Sequence, residues 1–227
     1  MAQISLLAWR QSGGIETPLH GLPMIRPIVF CKAPVEGHVK TRLQPQFSSA
    51  QAANIHAAMA ACVIERTLRL FPHTWIATDD PYHPFFHQFD ASVLPQGEGD
   101  LGLRMSRLTA RAIAYGARGV LLLGTDSPHM RVSRLRCALR LLHQYDVVLG
   151  PVEDGGYDLL AMRGHQKGLF QGITWGTSAV LNETMTRISE LGLSSRCLSM
   201  GFDVDIPEDL ARLPHSGFNL ESLLQNS

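Results

Sequence analysis

The chain has 227 residues, 45% hydrophobic and 18% charged, with 20 basic residues balanced by 20 acidic ones. That size and composition suit one full α/β core, while zero net charge without a dense Lys/Arg run argues against nucleic acid or anionic membrane as the main partner. No apolar run approaches the roughly 20 residues of a spanning helix, no secretory leader is visible, and scattered cysteines lacking a C-x-x-C pair suit reduced thiols, so a cytoplasmic protein is expected.

In chain order, residues 1–25 hold Gly13-Gly14, Pro18, Gly21 and Pro23 with no sustained period, and read as a poorly ordered extension. Residues 27–31 (PIVFC) form the first expected strand, and a loop follows from Lys32 to Leu43. Ser48 to Gln51 fits a capping box. It opens a helix with Ile55, Met59, Cys62 and Val63 on one face, which Phe71-Pro72 ends. Residues 73–78 read as a second strand running into the turn Asp79-Asp80-Pro81, and residues 92–94 as a short third. A helix carrying Leu101, Met105, Leu108 and Ala112 closes at Gly116. Next comes Gly119-Val120-Leu121-Leu122-Leu123-Gly124, apolar enough to be buried on both faces, which must stop near Asp126 because Pro128 cannot extend the ladder.

A helix with Val132, Leu135, Leu139 and Leu142 precedes a buried strand over 146–150. Residues 157–162 form a further strand, antiparallel at the sheet's edge, and residues 177–191 a helix stopped by Gly192. Residues 26–214 therefore read as one domain, followed by a tail over 215–227. The expected fold class is α/β, a three-layer, mainly parallel sheet covered by helices on both faces, with right-handed crossovers.

Five loops carry residues with chemistry. The first holds Lys32, Gly37, Lys40 and Arg42 in the first strand-to-helix connection, where such folds receive phosphate. Lys offers a point charge and Arg a bidentate fork, although a solvated basic loop reads equally well. Gly37 and Lys40 are too far apart for a Walker A loop. The second is Gln96-Gly97-Glu98-Gly99-Asp100: its glycines allow close approach to a base or ribose, and Asp100 is a natural N-cap. The third is Asp126, at the carboxyl end of the central strand. There it either faces a ligand crevice or only turns the chain.

Asp154-Gly155-Gly156-Tyr157 falls on the same edge of the sheet, as a hairpin turn or as a second acid facing that crevice. In the fifth loop, Asp203 and Asp205 alternate onto one face before Pro207, Glu208 and Asp209 start a helix. With Asp126, either can complete an oxygen site for Mg²⁺ or Mn²⁺. Trp175 either stacks on a sugar or base or belongs to the core. Cys31, beside the basic loop, has either a lowered pKa or a packed role. His83 and His87 are spaced for a zinc pair, which the intervening Pro84 disfavours.

Taken together, these segments resemble a bacterial family of poorly characterised transferases, the glycosyltransferase-like, radical-SAM/selenodomain-associated type, which has the GT-A fold of the nucleotide-diphospho-sugar transferases. The resemblance spans residues 27–213 and rests on five ordered motifs: KAP with Gly37 and VKTRL; QGEGDLG; GTDSP; Gly150-Pro151 with DGGY; and DVDIPEDL. Glu36, His38 and the Thr125 and Ser127 that flank Asp126 depart from the family's usual residues, and the first two lower the loop's stiffness and positive charge.

The resemblance implies that Lys40 and Arg42 neutralise a donor's phosphates and that Asp126 binds the divalent metal bridging them. It also implies Asp205 as the second ligand, and an acceptor side at residues 154–157. The expected activity is a metal-dependent transfer from a nucleotide-activated donor, a sugar nucleotide first. Alternatives are nucleotidyl transfer from an NTP and a non-catalytic nucleotide-binding protein.

Overall fold

The sheet is organised by its most apolar strand. Residues 24–213 are described by a computed structural model. The extension expected over 1–25, apart from its last two residues, and the tail over 215–227 lie outside them. Seven strands form one sheet: β1 (Ile25–Phe30), β2 (Trp75–Thr78), β3 (Ser92–Pro95), β4 (Gly119–Leu123), β5 (Val147–Pro151), β6 (Tyr157–Arg163) and β7 (Ser195–Cys197). Their spatial order is β3-β2-β1-β4-β6-β5-β7. All neighbouring pairs are parallel except those of β6, which runs antiparallel to both β4 and β5.

Alternation along β4 builds two cores. Leu121 and Leu123 face α1 (Ser49–Leu70) and α3 (Val132–Leu141), meeting Ile64 and Leu135. Val120 and Leu122 face α2 (Leu101–Ala114) and α4 (Val180–Glu190), meeting Met105, Leu108 and Ile188. A strand buried on both faces reads as an unbroken apolar run for this reason. The expected mainly parallel sheet with helices on both faces is what the structure shows.

Two expectations are corrected. β6 is not an edge strand: it is inserted between β4 and β5, and Leu160 pairs with Leu122 on one side and Leu149 on the other. Its short connection to β5 forces the antiparallel sense, and its residues 158–162 are all buried. The edge is instead β7, a three-residue strand with no apolar alternation. Asp146 fastens it, accepting hydrogen bonds from Ser194 N (2.9 Å) and Oγ (2.6 Å). Helix α4 starts at Val180 rather than Thr177, with the Leu181 amide donated to the Gly155 carbonyl at 2.8 Å.

The capping box that opens α1 is present as read: Gln51 N donates to Ser48 Oγ at 3.1 Å and Ser48 N to Gln51 Oε1 at 3.0 Å. Ser48→Ala should therefore cost about 1 kcal/mol in urea unfolding, with little change in the dependence on denaturant.

A third apolar cluster matters most for function. Leu43, just past the first loop, packs with Ile55 and Met59 of α1 and with Val204 and Leu210 from the far end of the chain. Val204 is fully buried. Its insertion leaves the flanking Asp203 and Asp205 beside the loop that follows β4. The last helix, α5 (Pro207–Leu210), begins at the proline the sequence marks.

Candidate active site

Strand order reverses between β1 and β4, and in open α/β sheets the crevice beyond the carboxyl ends of such strands receives ligands. The loops leaving β1 and β4 meet there. Lys40 Nζ lies 2.6 Å from Asp126 Oδ1 and 2.8 Å from Asp205 Oδ1, and donates to the Val204 carbonyl at 2.6 Å. The Lys40 side chain is 6% exposed, against 44% for Asp126 and 33% for Asp205. An ammonium is thus sunk beneath two carboxylates that open to solvent. Burial by itself would lower the Lys40 pKa, but the two acids outweigh it and hold the group above its ordinary value.

Lys40 is also the one non-glycine residue with positive φ among the described residues, at φ 46°. A left-handed lysine costs roughly 1–2 kcal/mol, and strain of this kind persists where the surroundings fix it and clusters at functional sites.

The 203–205 segment clasps the β4 loop. The Val204 amide donates to the Asp126 carbonyl at 2.9 Å, and Ser127 Oγ donates to the Asp203 carboxylate. Asp203, Asp126, Tyr157 and Asp158 line a cavity of about 190 Å³, with Phe30, Leu101 and Met105 supplying apolar wall. Asp203 is mostly buried, and its pKa is pushed up to about 7. Burial is the main cause, opposed by the Ser127 hydroxyl and reinforced by Asp126, Asp154 and Asp158.

A carboxyl raised from 3.8 to about 7 binds more protons folded than unfolded. Its contribution to stability therefore falls as pH rises through that window. Asp203→Asn keeps an acceptor for Ser127 and removes the buried charge. Urea unfolding should show a flatter pH dependence and a gain of about 1 kcal/mol at pH 8. An unchanged slope between pH 5 and 8 would contradict this account.

The other expected residues fall as follows. Arg42 is 71% exposed at the rim, its Nη1 3.5 Å from Asp205 Oδ2. The Lys32 side chain is exposed, while its carbonyl oxygen lies 3.0 Å from His56 Nε2. Gly37 has φ 76° in an open turn. In the glycine loop, Asp100 caps α2 by accepting from Leu103 N at 2.7 Å. Gly97 is required by close approach: a Cβ there would lie 2.4 Å from Arg107 Nη1. Arg107 donates to the carbonyls of Gln96 (2.8 Å) and Glu98 (2.9 Å), bracing the loop.

Asp154 accepts from the Gly156 amide at 2.9 Å, closing the turn before β6. A Cβ at Gly155 would meet the Ser178 carbonyl at 2.2 Å, so that glycine serves packing. Tyr157 lines the cavity with its ring, while its hydroxyl is buried and its pKa raised by burial. Trp175 packs with Phe170 against α2, where Gly102 leaves room for the indole. Cys31 is buried, and burial, Asp126 and Asp79 push its thiol up. The lowered-pKa reading of that cysteine is overturned. His83 caps a short 3₁₀ turn at 84–88.

Sequence reasoning left three contributors unassigned. Asp79 Oδ1 accepts from the Ala33 amide at 2.7 Å and so shapes the loop that leaves β1. Burial pushes its carboxyl up, yet the hydrogen bonds it accepts prevail and its pKa is lowered. Arg107 and Ser127 are the others. No local pattern marks them, because each acts on a backbone group or side chain brought near only by folding.

The donor set also bears on a metal. Among the described residues no group of three or more His, Cys, Asp or Glu converges as ligands, so they form no cage of protein groups alone. Asp126 and Asp205 do converge on one cation-sized position, now taken by the Lys40 ammonium. Two carboxylates completed by water and phosphate oxygens are what Mg²⁺ uses. The residues therefore fit such an ion.

The class is a mixed-sheet α/β protein of the nucleotide-diphospho-sugar transferase-like fold, with its crevice at the switch between β1 and β4. Within it, the chain belongs to a family described as uncharacterized protein conserved in bacteria (DUF2064), whose sequence model matches residues 55–177. A Desulfovibrio desulfuricans G20 protein provisionally assigned as a nucleotide-diphospho-sugar transferase is 28% identical with a TM-score of 0.81, over 90% of this chain and 95% of its own. CMP:2-keto-3-deoxy-manno-octonic acid synthetase, complexed with CTP, is similar at 14% identity and TM-score 0.56, over 83% of this chain and 96% of that one. A cytidylyltransferase from Leptospira borgpetersenii is similar at 13% identity and TM-score 0.55, over 90% and 93%. At those identities the likeness concerns the fold alone. No curated protein matches the chain. Among the described residues no helix is long and apolar enough to cross a membrane.

Proposed function

We propose that this protein is a metal-dependent cytoplasmic transferase acting on a nucleotide-activated donor, a sugar nucleotide first. One observation carries the reading: Lys40, held in a strained backbone conformation, lies buried between Asp126 and Asp205 at the sheet's switch point. Asp126 and Asp205 would hold Mg²⁺ or Mn²⁺, which when bound offsets charge on a diphosphate. Lys40, released from the acids, supplies a point charge to the same phosphates, and Arg42 at the rim offers a bidentate fork. The braced loop at Gln96 to Asp100 faces base or ribose with backbone groups. Asp203, Asp154 and Tyr157 border the acceptor side, with Gly156 in the same turn, while Gly155 and Trp175 support it from behind by packing. Catalysis in such a site is positioning together with stabilisation of the departing nucleoside phosphate.

Thermal shifts with UDP- and GDP-sugars and with NTPs, with and without Mn²⁺, test the reading. A cognate ligand at about 100 times its Kd should add about 2.7 kcal/mol, and Asp126→Asn should remove the metal-dependent part. Stabilisation that ignores Mn²⁺ and survives Asp126→Asn would favour a non-catalytic nucleotide-binding protein. The second reading, nucleotidyl transfer from an NTP, is supported by the fold shared with the CTP-complexed synthetase and the cytidylyltransferase. Pyrophosphate released from an NTP supports it; UDP or GDP released from a sugar nucleotide supports the first.

A further inference from the structure

A second, larger cavity of about 650 Å³ opens between α3 and the edge strand β7. It adjoins the first, because Asp158 lies on the wall of both. The segment Ser199 to Phe202 lines the larger cavity and continues into the 203–205 clasp, whose Asp203 lines the smaller one. The larger volume is in the range of small-molecule pockets.

Its charge is one-sided. Arg131, the N-cap residue of α3, and Arg196, on β7, are both exposed and both line it. Neither guanidinium has a hydrogen bond or ion pair among the described residues. The one acid on the wall, Asp158, has a side chain only 3% exposed and is already paired with Arg134, whose Nε lies 2.9 Å away. No side chain caps α3 where it opens on the cavity, so the positive end of its dipole adds to the field. His129, also on the wall, is depressed to about pKa 4, by burial first and then by Arg66, Arg212 and Arg134. It is therefore a neutral ring at pH 7, stacked on Phe202 at 3.9 Å. Met130, Leu198 and Phe202 add apolar wall, with Ser133 and Ser199 among the polar residues beside it.

We infer that this cavity is a second ligand site, taking a phosphate-bearing small molecule whose phosphate bridges Arg131 and Arg196 and whose apolar body lies along Met130, Leu198 and Phe202. The ligand is distinct from the donor proposed above, and the inference holds whichever donor reading is correct. Guanidinium groups suit phosphate because their forked donors match its oxygens. Two unpaired ones flanking a cavity without a free acid give an anion partners at no cost in broken ion pairs. An extended acidic peptide is disfavoured by the short run of cationic wall.

The test is a titration of the ¹⁵N-labelled full chain with inorganic phosphate at constant ionic strength, following the arginine Nε–H signals. Arg131→Lys and Arg196→Lys assign the two resonances. Both should shift saturably, and Arg131→Glu/Arg196→Glu should weaken phosphate at this site by about tenfold or more. Both positions are exposed, so the folded state should survive, as the remaining spectrum will report. The same shifts must persist in Lys40→Met, which separates this site from the donor crevice. Shifts that fail to saturate, that chloride reproduces, or that vanish in Lys40→Met would overturn the inference. So would saturation by a polyglutamate peptide at concentrations where phosphate has no effect.

Discussion

Lys40→Met is expected to abolish nucleotide-dependent stabilisation and to lower the stability of the free protein by about 2 kcal/mol, or about 4–8 °C in Tm. The ammonium is the common partner of Asp126 and Asp205. Without it the two carboxylates face each other across the crevice mouth. Removing one member of a fully buried pair costs about 3–5 kcal/mol. Asp126 and Asp205 are 44% and 33% exposed, so water takes over part of the lost interaction and the smaller figure applies. Lys40→Arg should not restore binding, since a planar fork cannot fill the place of a point charge in a left-handed backbone. Arg42→Ala, at a side chain 71% exposed, should change stability by less than about 0.5 kcal/mol. Equal losses at the two positions in urea unfolding would contradict the assignment of Lys40 as the buried counter-charge.

Arg134→Leu carries the largest expected loss of stability, about 3 kcal/mol. Its guanidinium lies 2.9 Å from Asp158 Oδ2 and donates to the carbonyls of Ser199 at 2.6 Å and Pro151 at 3.3 Å. One side chain thus ties α3 to β5, to β6 and to the Ser199 segment on the wall of the larger cavity. Burial has already pushed Asp158 up to about 6, so without Arg134 the carboxyl will take up a proton, which limits the loss. Asp158→Asn should be milder, at about 1 kcal/mol, because the amide keeps one acceptor for Arg134. Gly150→Ala should damage the same pair, since a Cβ would lie 2.2 Å from Asp158 Oδ1 and 2.8 Å from Arg134 Nη2. A double-mutant cycle on Arg134 and Asp158 should give a coupling of at least about 1 kcal/mol. Additivity would mean that the pair does not act as a unit.

Much of this arrangement is legible from local pattern. The run from Gly119 to Leu123 is apolar because both faces are covered, and Pro128 confines its end, so Asp126 could be placed at the carboxyl edge. Ser48 and Gln51, three residues apart, mark the start of α1 by the hydrogen bonds they exchange. Alternation brackets Val204 with two acids, and its burial is what brings both beside the β4 loop.

Other features carry no such signal. β7 is too short and polar to show a period, and it pairs because Asp146 and Ser194 hold it to β5. β6 reads as a buried strand, but its place between β4 and β5 depends on competition among strands for partners along the whole sheet. Trp175 and Gly155 sit in motifs that suggest an acceptor, yet their immediate contacts are Gly102 and Ser178.

By itself the sequence determined where most of the strands and helices lie, β7 excepted, which loops leave the carboxyl edge, and which of them bear cations or acids. These follow from hydrophobic period, capping and proline, interactions that reach only a few residues along the chain. The tertiary structure alone decided that Lys40 would be buried against Asp126 and Asp205 rather than free in solvent. The bond to Asp205 spans 165 residues of sequence, and an ammonium is held below the surface only where packing brings enough negative charge to outweigh the loss of water.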